Sequence, residues 1–262
     1  MGFSATWLAL REPADHAARD RGLLQAAVRA AGDAPVIVDL GCGTGSTLRA
    51  FEGELGQMPE WRLVDNDPAL LDQAAQAAAG PVSAHQLDLR SLAAVPLDTA
   101  TLVTASALLD LCSQVWLEEL AALLARNALP FYAALNYDGD MRWTPADPDD
   151  AAVRAAFNRH QQSDKGFGPA LGPNAASAIA RVFGALGYHV VTADSPWRLD
   201  CAQAALQAQL LQGIASAAAA AAGEAQAEDW LRRRLALIDS STCLVGHVDL
   251  LALPPAPGTE KQ

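Results

Sequence analysis

Cysteine and positive charge are both scarce in this chain of 262 residues. The four cysteines lie far apart and form no CxxC pair or other metal-ligand spacing: Cys42, Cys112, Cys201 and Cys243. A disulfide framework is therefore not expected, and four reduced thiols are the simpler interpretation. Lysine and arginine number 18 against 30 aspartates and glutamates, which gives a formal net charge of −12. Such a surface repels phosphate backbones and anionic lipids, so neither nucleic acid nor a membrane is an expected partner.

Long apolar runs, a leader sequence and metal-ligand spacings are also missing. No stretch reaches the ~20 apolar residues that a membrane-spanning helix needs. The N-terminal residues MGFSATWLALREPAD contain no basic n-region, so a signal peptide is not expected. Together with the reduced cysteines, these absences predict a cytoplasmic protein. No histidine or carboxylate spacing suggests a metal site, so we expect metal-independent chemistry.

The chain is instead rich in apolar residues, which make up 51% of it and fall into β-rich runs that alternate with alanine-rich runs. This alternation predicts an α/β fold, a Rossmann-like doubly wound sheet of about seven strands with helices on both faces. The predicted strands are 35–40, 60–65, 82–88, 100–106, 129–136, 187–194 and 242–253. The predicted helices are 14–31, 45–54, 68–79, 113–127, 149–163, 174–186, 200–221 and 225–238.

No linker or internal repeat divides the sequence, so we expect a single domain over residues 1–253. Residues 1–33 precede the first strand and are expected to form an N-terminal helical cap. Residues 137–173 are expected to form an insertion or lid, because open α/β sheets bind ligands at the carboxyl ends of their strands. The proline-rich residues 254–262 are expected to be a disordered tail.

The clearest chemical motif is VIVDLGCGTG at 36–45, where a buried strand ends in Asp39 and a glycine-rich turn enters a helix. Glycine permits positive φ and lets a ligand approach the main chain closely. The spacing is GxGxG, whereas the dinucleotide-binding fingerprint is GxGxxG. This departure makes a nicotinamide oxidoreductase the weakest reading of the motif.

Acidic residues also close the next two predicted strands. Asp65 lies 20 residues beyond Gly45, about where a ribose-binding carboxylate stands in such a fold. Asp88 ends the third strand, where it can reach an exocyclic amine of adenine or cap the next short helix. Asp67 is predicted to be the N-cap of the helix that begins at Pro68.

Taken together, these motifs resemble the class I S-adenosylmethionine-dependent methyltransferase family. The matching segments keep the family's order and spacing: VIVDLGCGTG (36–45), LVDNDPALLDQA (63–74), HQLDL (85–89) and TLVTASALLDL (101–111). The later strands also fit, including a final strand that would run antiparallel, so the resemblance covers roughly 36–253. The sequence departs from many relatives at Asn127-Ala128-Leu129-Pro130, where they turn through a Gly-Gly pair.

The resemblance implies S-adenosyl-L-methionine as cofactor and S-adenosyl-L-homocysteine as product. Asp39 would orient the methionine amino group or the loop itself, Asp65 would hold the ribose, and Asp88 with the backbone of Leu89 would mark the adenine. The end of the fourth strand, at Ser106, would face the methionine end. The full set of cofactor-binding residues expected on this basis is Asp39, Gly41, Cys42, Gly43, Asp65, Asn66, Asp88, Leu89 and Ser106.

Three side chains are candidates for catalysis. His160 has a reference pKa near neutrality and lies in an unusually polar segment, 158–169, that otherwise reads as a solvated helix end and connector. Asp110 follows Ser106 by one helical turn and can face the sulfonium, or simply supply charge at a helix N-terminus. Tyr137 belongs to a polar cluster after the fifth strand that is equally consistent with a turn.

Several other residues have simpler interpretations. Asp15 and Arg19 are four residues apart and are expected to form a surface ion pair, with substrate contact as the alternative. Trp197 and Trp230 are expected in the core or an interface. His247 and Asp249 are expected to line one polar face of the last strand.

The sequence therefore predicts an enzyme that methylates a small molecule at O, N or C by in-line displacement. A protein or RNA methyltransferase is the nearest alternative, although no basic groove or NPPY-like tetrapeptide follows the fourth strand. A non-catalytic S-adenosylmethionine-binding scaffold subunit is a further alternative, against which the intact glycine loop and Asp65 count. A homodimer stays open.

Overall fold

The protein is described from a computed structural model, which covers residues 4–56, 58–222 and 224–256. Eight strands form one sheet: β1 (Val36–Leu40), β2 (Glu60–Asp65), β3 (Val82–Gln86), β4 (Leu102–Ser106), β5 (Phe131–Thr144), β6 (His189–Asp194), β7 (Trp197–Leu199) and β8 (Thr242–Leu253). The helices are α1 (Ala5–Ala18), α2 (Arg21–Ala31), α3 (Ser46–Glu52), α4 (Pro68–Ala77), α5 (Gln114–Arg126), α6 (Asp150–Gln161), α7 (Ala175–Ala185), α8 (Ala204–Ala222) and α9 (Glu224–Ala236).

The strand order is β3-β2-β1-β4-β5-β8-β6, with the short β7 paired to β8. Strands β1 to β5 run parallel to one another, whereas β8 runs antiparallel to β5, β6 and β7. The predicted doubly wound sheet with an antiparallel final strand is therefore confirmed. Among the described residues, no helix combines the length and the apolar character needed to cross a membrane.

Apolar side chains pack on both faces of the sheet. On one face α5 and α7 cover β4 and β5, with Leu120 and Phe183 fully buried. On the other face α2, α3 and α4 pack against β1 and β2, with Phe51 fully buried. A third apolar cluster surrounds the C-terminal part of β5 and the N-terminal part of β8, where the rings of Trp143 and Trp230 lie 5.3 Å apart. Trp197 is also buried in this cluster, as predicted for it and for Trp230.

The predicted helix 14–31 is wrong, because the structure has two helices there. The first, α1, begins at Ala5 behind the N-cap Ser4, and it ends at Ala18. The second, α2, begins after Asp20, whose side chain accepts a hydrogen bond from the backbone N–H of Leu23 at 2.7 Å. A local capping bond thus separates two helices that the apolar pattern had joined.

Strand β5 extends well beyond its predicted end at residue 136 and runs to Thr144. It stays paired with β8 across two register shifts, between Ala133 and Asn136 and between Tyr137 and Met141. The first part of the segment expected to be a lid, 137–144, is therefore strand, followed by α6 and a loop at 162–171. Of the expected tail, residues 257–262 lie outside the described residues.

Candidate functional site

A pocket lies at the carboxyl ends of β1, β2, β3 and β4, the edge at which open α/β sheets bind ligands. Its walls come from the turns after these four strands, from α1 and from the loop after α6. Eight of the nine residues predicted to bind the cofactor line it: Gly41, Cys42, Gly43, Asp65, Asn66, Asp88, Leu89 and Ser106. The fold therefore brings together residues that are up to 65 positions apart in sequence.

The glycine-rich turn after β1 depends on positive φ angles. Gly41 and Gly43 have φ values of 66° and 53°, in the region that L side chains rarely adopt. The backbone N–H groups of Gly41 and Cys42 both donate to the carbonyl of Val64, at 2.8 and 3.1 Å. These bonds tie the turn to the end of β2, so the main chain itself forms part of the pocket wall. Burial raises the pKa of the Cys42 thiol well above its usual range.

The carboxylate of Asp65 joins two parts of the pocket. Its Oδ2 accepts a hydrogen bond from the backbone N–H of Gly43 at 2.9 Å, and its Oδ1 accepts one from the N–H of Asp67 at 3.0 Å. Asp67 in turn caps α4 by accepting from the N–H of Ala69 at 2.8 Å, which confirms its predicted role. Asp65 thus lies on the pocket wall while it also fixes the glycine turn.

Asp39 lies beneath the turn and does not line the pocket. It is fully buried, and Thr104 Oγ1 donates to its Oδ1 at 2.8 Å. Burial raises the pKa of this carboxyl to about 7, although the Thr104 hydrogen bond and the charge of Arg19 act in the opposite direction. Of the two roles expected for Asp39, this placement favours supporting the loop over touching a ligand.

The turn after β3 carries Asp88 and Leu89. The Asp88 carboxylate accepts from the backbone N–H of Arg90 at 2.9 Å and pairs with the Arg90 guanidinium. Both side chains are exposed, and the hydrogen bonds from Arg90 hold the pKa of Asp88 below its usual value. The carbonyl of Leu89 is already occupied, because it accepts from Trp116 Nε1 at 2.6 Å.

The N-terminal helix supplies residues that the sequence prediction paired wrongly. Asp15 does not pair with Arg19, and instead the Nε and Nη2 of Arg11 donate to Asp15 at 2.9 and 3.1 Å. Arg19 reaches the end of β4, where its Nη2 donates to Ser106 Oγ at 2.9 Å. All three charged residues are buried, so this is not a surface pair. Arg11 and Asp15 are also four residues apart, so the spacing permits either pair and only tertiary packing decides between them.

The Arg11–Asp15 pair connects the pocket to the antiparallel half of the sheet. Asp15 Oδ1 accepts from Trp197 Nε1 at 2.9 Å, and the guanidinium carbon of Arg11 lies 5.0 Å from the centre of the Trp197 ring. The His247 ring lies 5.1 Å beyond Trp197 and is buried. Burial, with a contribution from the charge of Arg11, lowers the pKa of His247 to about 3, so this imidazole is neutral.

None of the three catalytic candidates lies on the wall of the pocket itself. Asp110 is buried in a short 3-10 turn, Leu109–Leu111, and burial raises its pKa to about 6. Tyr137 donates from its hydroxyl to Asn158 Oδ1 at 2.7 Å, and burial raises its pKa. His160 accepts at Nδ1 from Lys165 Nζ at 3.2 Å, and burial together with the charge of Lys165 lowers its pKa.

Two residues of the predicted lid do reach the pocket, Lys165 and Phe167. Asp164 Oδ1 orders their loop by accepting from the N–H groups of Gly166 and Gly168 at 2.7 and 3.0 Å. The sequence prediction had noted the polarity of this segment but had selected His160 within it. The signal that could have indicated Lys165 as a pocket residue is the scarcity of lysine, because the chain contains only one other, at position 261.

Comparison with known proteins gives the same assignment as the sequence motifs. Residues 37–130 match a family described as a methyltransferase domain. The search of curated proteins found no match. Among solved structures, the chain is similar to the YcgJ protein of Bacillus subtilis, with a TM-score of 0.53, 15% identity and coverage of 90% of this chain and 100% of the other. It is also similar to the cyclopropane synthase MmaA2 of Mycobacterium tuberculosis, with a TM-score of 0.50, 11% identity and coverage of 95% and 94%.

At such low identity these two structures show the fold alone. The matched residues contain the glycine turn, the carboxylates that end β2 and follow β3, and the end of β4. Within the described residues, no group of three or more histidine, cysteine or acidic side chains is arranged to hold a metal ion. Residues 37–130 thus match the model of a methyltransferase domain, in agreement with the resemblance of the sequence motifs to class I S-adenosylmethionine-dependent methyltransferases.

Proposed function

We propose that this protein transfers a methyl group from S-adenosylmethionine to a small-molecule acceptor by in-line displacement, without a metal. The observation that carries the proposal is the single pocket that gathers the glycine turn, Asp65, Asp88 and Ser106 at one edge of the sheet. When bound, S-adenosylmethionine supplies an electrophilic methyl group on a sulfonium. The chain's part is to bind it, orient it and exclude water.

The donor and acceptor groups on the pocket wall fit this cofactor. Asp65 presents a carboxylate to a ribose, and each of its oxygens carries a single backbone hydrogen bond, which leaves lone pairs free. Asp88 lies further along the same wall, on the side expected for the adenine. The turn at Gly41 and Gly43 lets the methionine part approach the main chain closely.

A small acceptor is favoured by the way in which α1 crosses the pocket. Leu8 lies so close to the turn that a Cβ built at Gly43 would be 3.1 Å from its Cδ1. Glu12 anchors the helix by pairing with both Nε and Nη2 of Arg49, the latter at 2.6 Å. Together with the loop that bears Lys165, the helix narrows the access that a protein or RNA substrate would need. The net charge of −12 also disfavours RNA.

The test is isothermal titration of S-adenosylmethionine, S-adenosylhomocysteine and NADPH into the full chain. We expect micromolar binding of the two sulfur compounds and none of NADPH. Asp65→Ala should abolish or greatly weaken that binding, because it removes the ribose acceptor and the bond to Gly43, whereas Asp72→Asn, at an exposed site on α4, serves as the charge-matched control. Unchanged affinity in Asp65→Ala would refute the ribose assignment, and binding of NADPH alone would refute the proposed function.

A further inference from the structure

Lys165 is a positively charged side chain on the pocket wall that has no carboxylate partner among the described residues. It is half-buried, and its amine donates to the imidazole of His160 at 3.2 Å. Burial lowers the pKa of this amine, and no nearby carboxylate counters the effect. An ammonium group that is partly removed from water without a counter-ion is unfavourable, so this position favours an anionic ligand.

The other charged side chains on the wall are already partnered within the structure: Arg11 with Asp15, Asp65 and Asp67 with backbone N–H groups, and Asp88 with Arg90. The Arg11 guanidinium gives two donors to the Asp15 carboxylate, at 2.9 and 3.1 Å, so its charge is balanced there. An anion that enters the pocket therefore finds its counter-charge at Lys165.

The loop that bears this amine has a defined structure of its own. The Asp164 side chain orders its centre through the two backbone bonds described above. Its C-terminal end is tied to the connection between β4 and α5, because the N–H of Leu171 donates to the carbonyl of Cys112 at 2.8 Å. The rings of Phe167 and Trp116 lie 5.6 Å apart, edge to face. These contacts hold the lysine at the pocket rather than in open solvent.

The surroundings of Lys165 on the wall are apolar. Phe167 comes from the same loop, and Leu108 and Leu111 come from the connection to which the loop is tied. The cofactor contacts expected from the resemblance lie mainly on the turns after β1, β2 and β3, and Ser106 marks its methionine end. The loop and the connection after β4 therefore leave an apolar surface with one positive charge for the acceptor.

We propose that the acceptor carries a carboxylate on an apolar body and that Lys165 binds this carboxylate. The inference rests on the proposed function and narrows its substrate class. An ammonium group has three donors, of which His160 takes one, so two are left for a ligand. A phosphate monoester carries a charge of about −1.5 to −2, more than one ammonium balances, and four aspartates also line the pocket. A single carboxylate matches the charge that is available.

Matched pairs of small molecules test the inference without knowledge of the acceptor. Benzoate with benzamide, and butyrate with butyramide, keep the apolar body and exchange the carboxylate for a neutral group. Their dissociation constants are measured by saturation-transfer NMR on the full chain saturated with S-adenosylhomocysteine, together with that of phenyl phosphate. Lys165→Gln removes the charge and Lys165→Arg keeps it. Arg126→Gln removes an exposed positive charge in the last turn of α5 and is the control.

We expect wild type to bind both carboxylates more tightly than their amides and more tightly than phenyl phosphate. Lys165→Gln should weaken the carboxylates by about 10-fold, the usual effect of one lost charge-assisted hydrogen bond, and should leave the amides unchanged. Lys165→Arg should retain most of the preference, and Arg126→Gln should behave as wild type. S-adenosylhomocysteine should bind equally well to all four proteins, which also reports that the variants are folded.

Several results would overturn the inference while leaving the proposed function intact. Wild type that binds the carboxylates no better than the amides, or binds neither, would show that the pocket has no site for this group. Tighter binding of phenyl phosphate than of benzoate would assign the site to phosphate. Equal effects of Lys165→Gln and Arg126→Gln would reduce the role of Lys165 to general charge.

A further titration separates the acceptor from the cofactor, whose methionine part also carries a carboxylate. 5′-Methylthioadenosine has the adenosine and the sulfur without that carboxylate. Weaker binding of S-adenosylhomocysteine to Lys165→Gln, with 5′-methylthioadenosine unchanged, would mean that Lys165 binds the cofactor instead, and weaker binding of both would place it at the adenosine. Wild type that binds no S-adenosylhomocysteine would refute the proposed function itself.

Discussion

Replacing Asp249 by asparagine tests the packing of β8 against β5 and the elements beside it. Asp249 lies in β8, is fully buried, and accepts four hydrogen bonds. Its Oδ1 accepts from the N–H of Leu135 at 2.8 Å and from Ser195 Oγ at 2.7 Å. Its Oδ2 accepts from the N–H of Asp20 at 2.9 Å and from the Tyr132 hydroxyl at 3.2 Å. One carboxylate thus joins β8 to β5, to the start of α2 and to the connection before β7.

The size of the effect follows from this count. Asparagine keeps one acceptor oxygen and puts an NH₂ group where the other oxygen was, so two of the four donors lose their partner and meet another donor. A hydrogen bond to a charged group contributes about 1.5–3 kcal/mol, so Asp249→Asn should lower the free energy of unfolding by about 3–6 kcal/mol. Leu135 adds to the cost, because the Asp249 bond helps to hold it at a φ of 55°.

Urea denaturation at neutral pH measures this change. Ser195→Ala removes one donor and should cost about 1–2 kcal/mol, so it calibrates the larger value. Asp239→Asn removes an exposed acidic group and should leave the free energy of unfolding within about 0.5 kcal/mol of wild type. An Asp249→Asn variant as stable as Ser195→Ala would refute the view that Asp249 is a shared acceptor.

Two further changes test the cofactor end and the lid. Burial raises the pKa of Asp39 to about 7, so the folded protein keeps this carboxyl protonated at pH values at which the unfolded chain, with a pKa near 4, has already released the proton. The free energy of unfolding of the wild type therefore falls as the pH rises from about 4 to 7. Asp39→Asn should therefore gain about 4 kcal/mol relative to wild type over that interval, as measured by urea denaturation at both pH values, and a pH-independent difference would contradict the assignment. His160→Ala should lower turnover more than cofactor affinity, because His160 meets the pocket through Lys165, and equal loss of both or of neither would remove His160 from the catalytic candidates.

The parts of the fold that follow local patterns could be predicted from the sequence. The β1 run VIVDL is apolar because both of its faces are covered, and its predicted start is one residue from the observed one. Asp67 and Pro68 mark the start of α4 correctly, because capping is a local interaction. The pocket residues at the strand ends also follow, because the carboxyl ends of parallel strands meet at one edge.

The parts that depend on distant contacts could not be predicted. The C-terminal half of β5 has the sequence DGDMRWT, in which glycine and the charged residues are unusual for a strand. Its pairing with β8, across two register shifts, holds this segment in the extended conformation. Arg11 lies on the pocket wall and packs against Trp197, which belongs to a strand of three residues, too short to show a periodic pattern in the sequence. Ala128 stands where many relatives turn through a Gly-Gly pair. The surrounding fold holds it at a φ of 49°, a conformation that glycine would adopt without strain.

The scarcity of lysine turns the pocket into a place that chemical labelling can report on. Lys165 is one of two lysines, and it alone lies within the described residues, on the wall of the pocket. Burial lowers the pKa of its amine, which leaves more of it unprotonated and reactive toward acylating reagents than an exposed lysine would be. Mass spectrometry of the single peptide that contains Lys165 therefore follows the occupancy of the pocket directly, against a background with almost no other side-chain amines.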